Sequence, residues 1–171
     1  MGRFIAESNL KGVAILYRQD DSSFPPALVK FGCYYTSILW HAEQLRCKMI
    51  SRDEYLDIYR AAMMTGIISK EKVENGVLVD GCTVLDPLAL FDLAGYSKFR
   101  SVSKSPPGEL PPPKGIEILV FHRDADFPKG MGNKPHTHFV AGNGKGQVAF
   151  DPLGQSNTVK HGFLQSKRIF S

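Results

Sequence analysis

Ser105-Pro106-Pro107-Gly108-Glu109-Leu110-Pro111-Pro112-Pro113, followed after Lys114-Gly115 by Ile116-Glu117-Ile118-Leu119-Val120-Phe121-His122, is where the hydrophobic pattern of this chain changes period. The first stretch reads as an extended surface connection, because proline fixes φ and removes the amide hydrogen that a helix or an inner strand needs. The second stretch is rich in β-branched residues and reads as a strand. N-terminal of this boundary the chain reads as mostly helical, and C-terminal of it as a sheet.

On the helical side, Tyr35, Ile38, Leu39, Ala42 and Leu45 recur at spacings of three and four from Gly32 to about Arg46, one apolar stripe with a cation in its last turn. Ser51-Arg52-Asp53-Glu54 is a capping box that opens a second helix through Tyr55, Ile58, Tyr59, Ala62 and Met63, stopping at Gly66. Asp86-Pro87 supplies an N-cap and a proline at the first helical position, and the third helix, Leu88 to Ala94, ends at Gly95. Ahead of these, Val13 to Tyr17 reads as a short strand and Arg18 to Ser23 as a polar turn, and a loop runs through Pro25-Pro26.

On the sheet side the strands are Ile116 to His122, Thr137 to Ala141, Gln147 to Phe150 and Lys167 to Phe170. Gly142-Asn143-Gly144-Lys145-Gly146 is the hairpin turn between the second and third. Helices first and antiparallel strands after make an α+β fold, not a doubly wound α/β one. No internal repeat is present, so the Pro-rich stretch reads as a loop within one domain spanning residues 1–171.

The 171 residues, 43% apolar and 22% charged, have the size and composition of a globule with a real core, which excludes disorder, collagen and repeat arrays. No apolar run approaches the roughly 18 residues needed to cross a bilayer, and Val13 to Tyr17 is too short for a signal-peptide core. No membrane insertion is expected, and synthesis in the cytoplasm is. Gly2 follows Met1, but Ala6 breaks the myristoylation pattern. A net charge of +4 favours loose contact with anionic partners. Lys and Arg are scattered and no basic run is interleaved with aromatics, so nucleic-acid binding is not expected.

Cys33, Cys47 and Cys82 are odd in number, widely spaced and without a Cys-x-x-Cys pair, so neither a disulfide framework nor a thiol zinc finger is encoded. Cys47 and Cys82 read as small, partly buried side chains. Cys33 falls in the first turn of the first helix, where free amides and the helix dipole favour a thiolate and so a nucleophile. A nucleophile of this kind needs a base. His41 is on the first helix and His161 in a late loop, while His122, His136 and His138 lie on or beside strands. His138 runs directly into Phe139-Val140, and across the glycine-rich turn the neighbouring strand ends in Asp151-Pro152. Antiparallel strands joined by a short turn bring such a pair together, and the carboxylate then holds the imidazole in the tautomer a base requires. Cys33, His138 and Asp151 thus read as nucleophile, base and orienter. The Cys33 amide is an oxyanion donor by position, and Gln19 in the polar turn is the side-chain candidate for a second.

Taken in order, Tyr17-Arg18-Gln19-Asp20-Asp21, Phe31-Gly32-Cys33-Tyr34-Tyr35-Thr36-Ser37-Ile38, His138-Phe139-Val140 and Phe150-Asp151-Pro152-Leu153-Gly154 resemble the papain-like cysteine peptidases. The likeness is to the branch that includes the bacteriocin-processing peptidases and related phage lytic enzymes. That branch has a Gln on a leading segment and Gly-Cys opening a helix, with a small hydroxylated residue a few positions on. A His followed by an aromatic and Val, then Asp-Pro, completes its pattern. The resemblance spans Gln19 to Gly154, with a Gln19 to Cys33 spacing longer than the commonest pattern. It implies a papain-like fold with Cys33 as nucleophile, His138 as base, Asp151 as orienter and Gln19 as oxyanion donor, and no required cofactor. With no propeptide, transporter segment or signal peptide, the chain is closer to a phage-type endolysin than to a membrane-bound bacteriocin exporter. The expected substrate is then the stem or cross-bridge peptides of peptidoglycan, cleaved at the cell wall.

Three other readings stand beside this one. His136 and His138, two apart on one strand, have a zinc-ligand spacing that Asp124, Asp126 or Asp151 would complete in a metal-dependent hydrolase, although Pro135 draws His136 toward the loop. Asp124-Ala125-Asp126 with Asn133 beyond it would suit calcium, but without the acidic twelve-residue loop pattern these read as solvated turn carboxylates. A binding module on the same fold, without turnover, is the third. Trp40, at helical spacing, reads as core rather than as a substrate platform.

Overall fold

The computed structural model describes residues 18–125 and 136–171. The strand expected over Val13 to Tyr17, together with Asp126, Asn133 and Pro135, lies outside the described residues. Helices α1 (Pro26–Phe31), α2 (Cys33–Arg46) and α3 (Arg52–Met64) come first, then a hairpin of β1 (Lys72–Glu74) and β2 (Val77–Asp80), then α4 (Pro87–Leu93). Strands β3 (Val102–Ser105), β4 (Ile116–Arg123), β5 (His136–Gly142) and β6 (Val148–Phe150), helix α5 (Asn157–His161) and strand β7 (Phe163–Phe170) follow. Five of the strands form one antiparallel sheet in the order β3-β7-β4-β5-β6. The architecture is mixed helix and antiparallel sheet, an α+β fold.

Local chemistry accounts for the helix starts. Ser51 Oγ accepts from the Glu54 amide at 3.2 Å, and Asp86 Oδ1 from the Ala89 amide at 3.0 Å, each satisfying a donor that the first turn leaves unpaired. The Pro25-Pro26 segment, expected as a loop, instead opens α1, because a proline at the first helical position gives up only an amide the helix would not have used. That helix ends at Gly32, where a Cβ would run into the Leu28 carbonyl oxygen and side chain. Glycine therefore permits the sharp α1–α2 junction, and α2 begins at Cys33.

The two halves are less pure than the period change implies. Asn75 (φ 51°) and Gly76 (φ 75°) both take left-handed conformations between β1 and β2, as a tight hairpin turn requires, so the first half carries strands. In the second half, Ser156 accepts from the Val159 amide at 3.2 Å and starts α5, and β7 begins at Phe163, ahead of the expected Lys167.

The core lies between the helices and one face of the sheet. Tyr35, Ile38 and Leu39 of α2, Tyr55 and Ile58 of α3, and Leu90 and Phe91 of α4 are buried with Ile118 and Phe170. Register pairs Phe170 with both Val102 and Ile116, and all three join that core, as the period-two alternation of strands dictates. Glu117 and Lys167, from the alternate positions, are fully buried, with Lys167 Nζ 2.8 Å from Glu117 Oε2 and 2.8 Å from the Glu109 carbonyl. Glu117 Oε1 accepts from the Gly146 amide at 2.7 Å. Charges at this depth cost several kcal/mol unless paired. Their pairing ties the Pro-rich stretch and the β5–β6 turn to the sheet.

Candidate active site

Helix α2 meets the sheet chiefly along β5, with β4 and β6 on either side. The Tyr34 ring stacks on Phe139 at 4.5 Å and 10°, and Trp40 stacks on Phe150 at 5.6 Å and 2°, so Trp40 is a packing residue. Ser37, fully buried one turn beyond Cys33, places its hydroxyl 2.8 Å from the Cys33 carbonyl and 3.2 Å from the Phe139 carbonyl. On β5, the Phe139 ring packs on α2 and the adjacent His138 reaches Asp151 in the turn after β6. Cys33 stands half-buried at the head of the helix.

His138 and Asp151 are brought together by the β5–β6 hairpin, in which Ala141 pairs with Phe150. His138 Nε2 lies 2.7 Å from Asp151 Oδ1, the histidine wholly buried and the aspartate 8% exposed. The same carboxylate accepts from the Leu153 amide at 2.9 Å through Oδ1 and from the Ser156 amide at 2.9 Å through Oδ2. Three donors on one carboxylate fix its position and favour its charged form. Burial works against that charge, but the His138 hydrogen bond and the two amides outweigh it and hold Asp151 down at about 2. Burial also opposes charge on His138, and here the Asp151 hydrogen bond and the nearby Cys33 thiol prevail, pushing the imidazole up to about 9. Both shifts describe one ion pair. With Nε2 held by Asp151, Nδ1 is the nitrogen left for the thiol, and it is buried without a hydrogen-bond partner among the described residues.

Gln19 is brought to the same place. Its amide donates to the Pro152 carbonyl at 2.9 Å, one residue past Asp151, and Arg18 donates to the Leu153 carbonyl at 2.7 Å. The Gln19 side chain is buried, and Nε2 donates to the Val29 carbonyl at 3.0 Å. In an unbroken helix that carbonyl would serve the Cys33 amide, so the Gly32 junction and Gln19 together release the first turn of α2. An amide nitrogen carries two hydrogens, which leaves Gln19 one donor beyond the Val29 bond.

His41, His122 and His136 have other partners. His136 Nδ1 lies 2.7 Å from Thr158 Oγ1, and its ring sits 6.3 Å from that of His138. Burial lowers its pKa, and the charges of His138, Arg123 and His122 lower it further. Asp124 is near His122, at 3.4 Å. Among the described residues no group of three or more His, Cys, Asp or Glu is arranged to hold a metal ion, and no helix is long and apolar enough to cross a membrane. Cys47 is exposed rather than partly buried, because it takes the left-handed C-cap of α2. Cys82 is buried, which pushes its thiol up. Ser37 and Leu153 stand in the quoted motifs without a role, and Ser156 outside them; an Asp followed by a turn and a Ser N-cap is the signal for the last two.

A helix-start cysteine beside a buried histidine–carboxylate pair, on an α+β scaffold, defines the class of site this protein carries. The chain belongs to the family described as protein of unknown function, DUF261, whose model matches residues 15–171. No curated protein and no solved structure matches it.

Proposed function

We propose that this protein is a thiol hydrolase of the papain-like cysteine peptidase kind, using Cys33, His138 and Asp151 to cleave peptide bonds, with peptidoglycan peptides as its substrate. The observation that carries the reading is the buried 2.7 Å His138–Asp151 hydrogen bond, which leaves Nδ1 unclaimed beside a half-buried cysteine at a helix start. In the first step the sulfur of Cys33, paired as the thiolate with the already protonated His138 ring, attacks the scissile carbonyl carbon. The oxyanion is held by the Cys33 amide and the second Nε2 hydrogen of Gln19. His138 then protonates the leaving amine as the C–N bond breaks, giving a thioester. Water, losing a proton to Nδ1, attacks the thioester; the C–S bond breaks, the acid is released, and the thiolate and protonated imidazole are regenerated. Throughout, Asp151 keeps the ring oriented through Nε2. A helix bearing the cysteine and packed on an antiparallel sheet bearing the histidine supports the papain-like reading. The resemblance to phage lytic enzymes, with the +4 charge, supports the proposed substrate and an action at the cell wall.

Purified sacculi incubated with the protein should release muropeptides, in the presence of a chelator as well as without it, and Cys33→Ala should reduce release to background with the fold retained. Release lost to the chelator would favour the metal-dependent reading. Hydrolysis of an ordinary protein but not of sacculi would remove peptidoglycan as substrate. If Cys33 alkylation by iodoacetamide is equally fast in wild type and His138→Ala, no thiol–imidazole pair exists, and a binding module becomes the better account.

A further inference from the structure

Catalysis by a thiol and an imidazole carried on different elements depends on how those elements are registered against each other. Among the contacts that join α2 to β5 near the site are the stacked rings of Tyr34 and Phe139 and the Ser37 hydroxyl. Stacked rings tolerate lateral offset, since the attraction is spread over many weak atom pairs. A hydrogen bond is steep in distance and angle. The Ser37 hydroxyl lies between the Cys33 carbonyl and the carbonyl of Phe139, the residue that follows His138. Having a single hydrogen for two carbonyls, it joins the backbone of the nucleophile to the backbone next to the base through one atom.

We propose that Ser37 is a positioning residue that sets the Cys33 thiol against the His138 imidazole by fixing the height of α2 along β5. Ser37 touches neither substrate nor reacting atoms, and the proposal rests on the thiol-hydrolase reading. Constellations of this kind lose on the order of a hundredfold for a misplacement of about 1 Å, and a hydroxyl lost from a fully buried strap allows part of such a shift.

The test reads the His138-dependent part of Cys33 reactivity, which a merely structural residue would not move. Iodoacetamide labelling of Cys33 is followed by peptide mass mapping in wild type, His138→Ala, Ser37→Ala and the shape-matched pair Ser37→Thr and Ser37→Val, with thermal melts alongside. Wild type should label faster than His138→Ala. Ser37→Ala should lose most of that advantage, on the order of tenfold. Ser37→Thr should recover it and Ser37→Val should not. If Ser37→Ala does not fold, the Thr/Val pair carries the comparison, since the two differ only in the hydroxyl. A His138-dependent advantage that survives in both Ser37→Ala and Ser37→Val overturns the positioning role and leaves the hydrolase reading standing. No advantage in wild type itself overturns both.

Discussion

Helix α2 touches the sheet with a histidine near each end of the contact, and the two regions treat that histidine in opposite ways. Toward the N-terminus, the first turn approaches His138, which is buried against the Asp151 carboxylate and driven up to about 9. Two turns further on, His41 is also buried, but its Nε2 meets the Glu117 carbonyl at 2.9 Å, and burial drives its pKa down to about 4. Both rings are buried, so burial by itself does not decide the outcome. A carboxylate holds a proton on the ring, whereas a neutral carbonyl offers a hydrogen bond too weak to offset the loss of solvent. One region is therefore equipped for proton transfer and the other for packing.

The largest test of this contrast is to give His138 a neutral partner. Asp151→Asn keeps the size of the side chain and removes its charge, so burial should then dominate and the His138 pKa should fall by two units or more, about 3 kcal/mol, read by NMR titration. On the proposed thiol-hydrolase reading, hydrolysis should drop on the order of a thousandfold without vanishing. The stability difference from wild type has a defined pH window. His138 rises from 6.5 to about 9 on folding, so its contribution is complete below 6.5 and fades as pH climbs through 9. Asp151 falls from 3.8 to about 2, so its contribution is complete above 3.8 and fades as pH drops through 2. The excess stability of wild type, measured by denaturant melts, should peak between those limits, at roughly pH 4 to 6.5, and shrink toward pH 9. A flat difference across this range would contradict an ion pair at His138.

The second test concerns the other histidine. His41 falls from 6.5 to about 4 on folding, so the folded state resists its protonation and stability declines as pH drops from 6.5 to 4. That one group accounts for about 3 kcal/mol of the decline. His41→Gln retains a donor for the Glu117 carbonyl and cannot titrate, so its melts should lack that part of the acid loss while neutral activity is unchanged. A smaller effect should separate the two regions physically. Gly32→Ala forces a Cβ onto the Leu28 carbonyl and should cost about 1–3 kcal/mol by thermal melt. It should also slow Cys33 labelling while leaving the pH dependence attributed to His41 intact, because only the head of α2 moves.

How much of this was legible depended on how local each signal was. The α3 and α4 starts were readable because an N-cap and its amide lie three residues apart. Asn75-Gly76 was a readable hairpin signal that the surrounding helical reading obscured. Helix α1 was hidden by Pro25-Pro26, since proline signals both a loop and a helix start. In the site, a histidine and an aspartate flanking a glycine-rich turn pointed to each other through hairpin geometry alone. The two amides that hold Asp151, the Ser37 link and the Val29 carbonyl on Gln19 depended on how separate elements dock.

By itself, then, the sequence determined the α+β class, the place where helices yield to strands, and a cysteine in the first turn of a helix, because caps, periodicity and turn residues act within a few positions of one another. Tertiary structure alone decided which buried histidine keeps a proton and which does not. It also paired Glu117 with Lys167 across the sheet, and put Ser37 between the backbones of Cys33 and Phe139. Those outcomes turn on solvent exclusion and on partners 13 to 102 residues away in sequence, brought together only once the chain has packed.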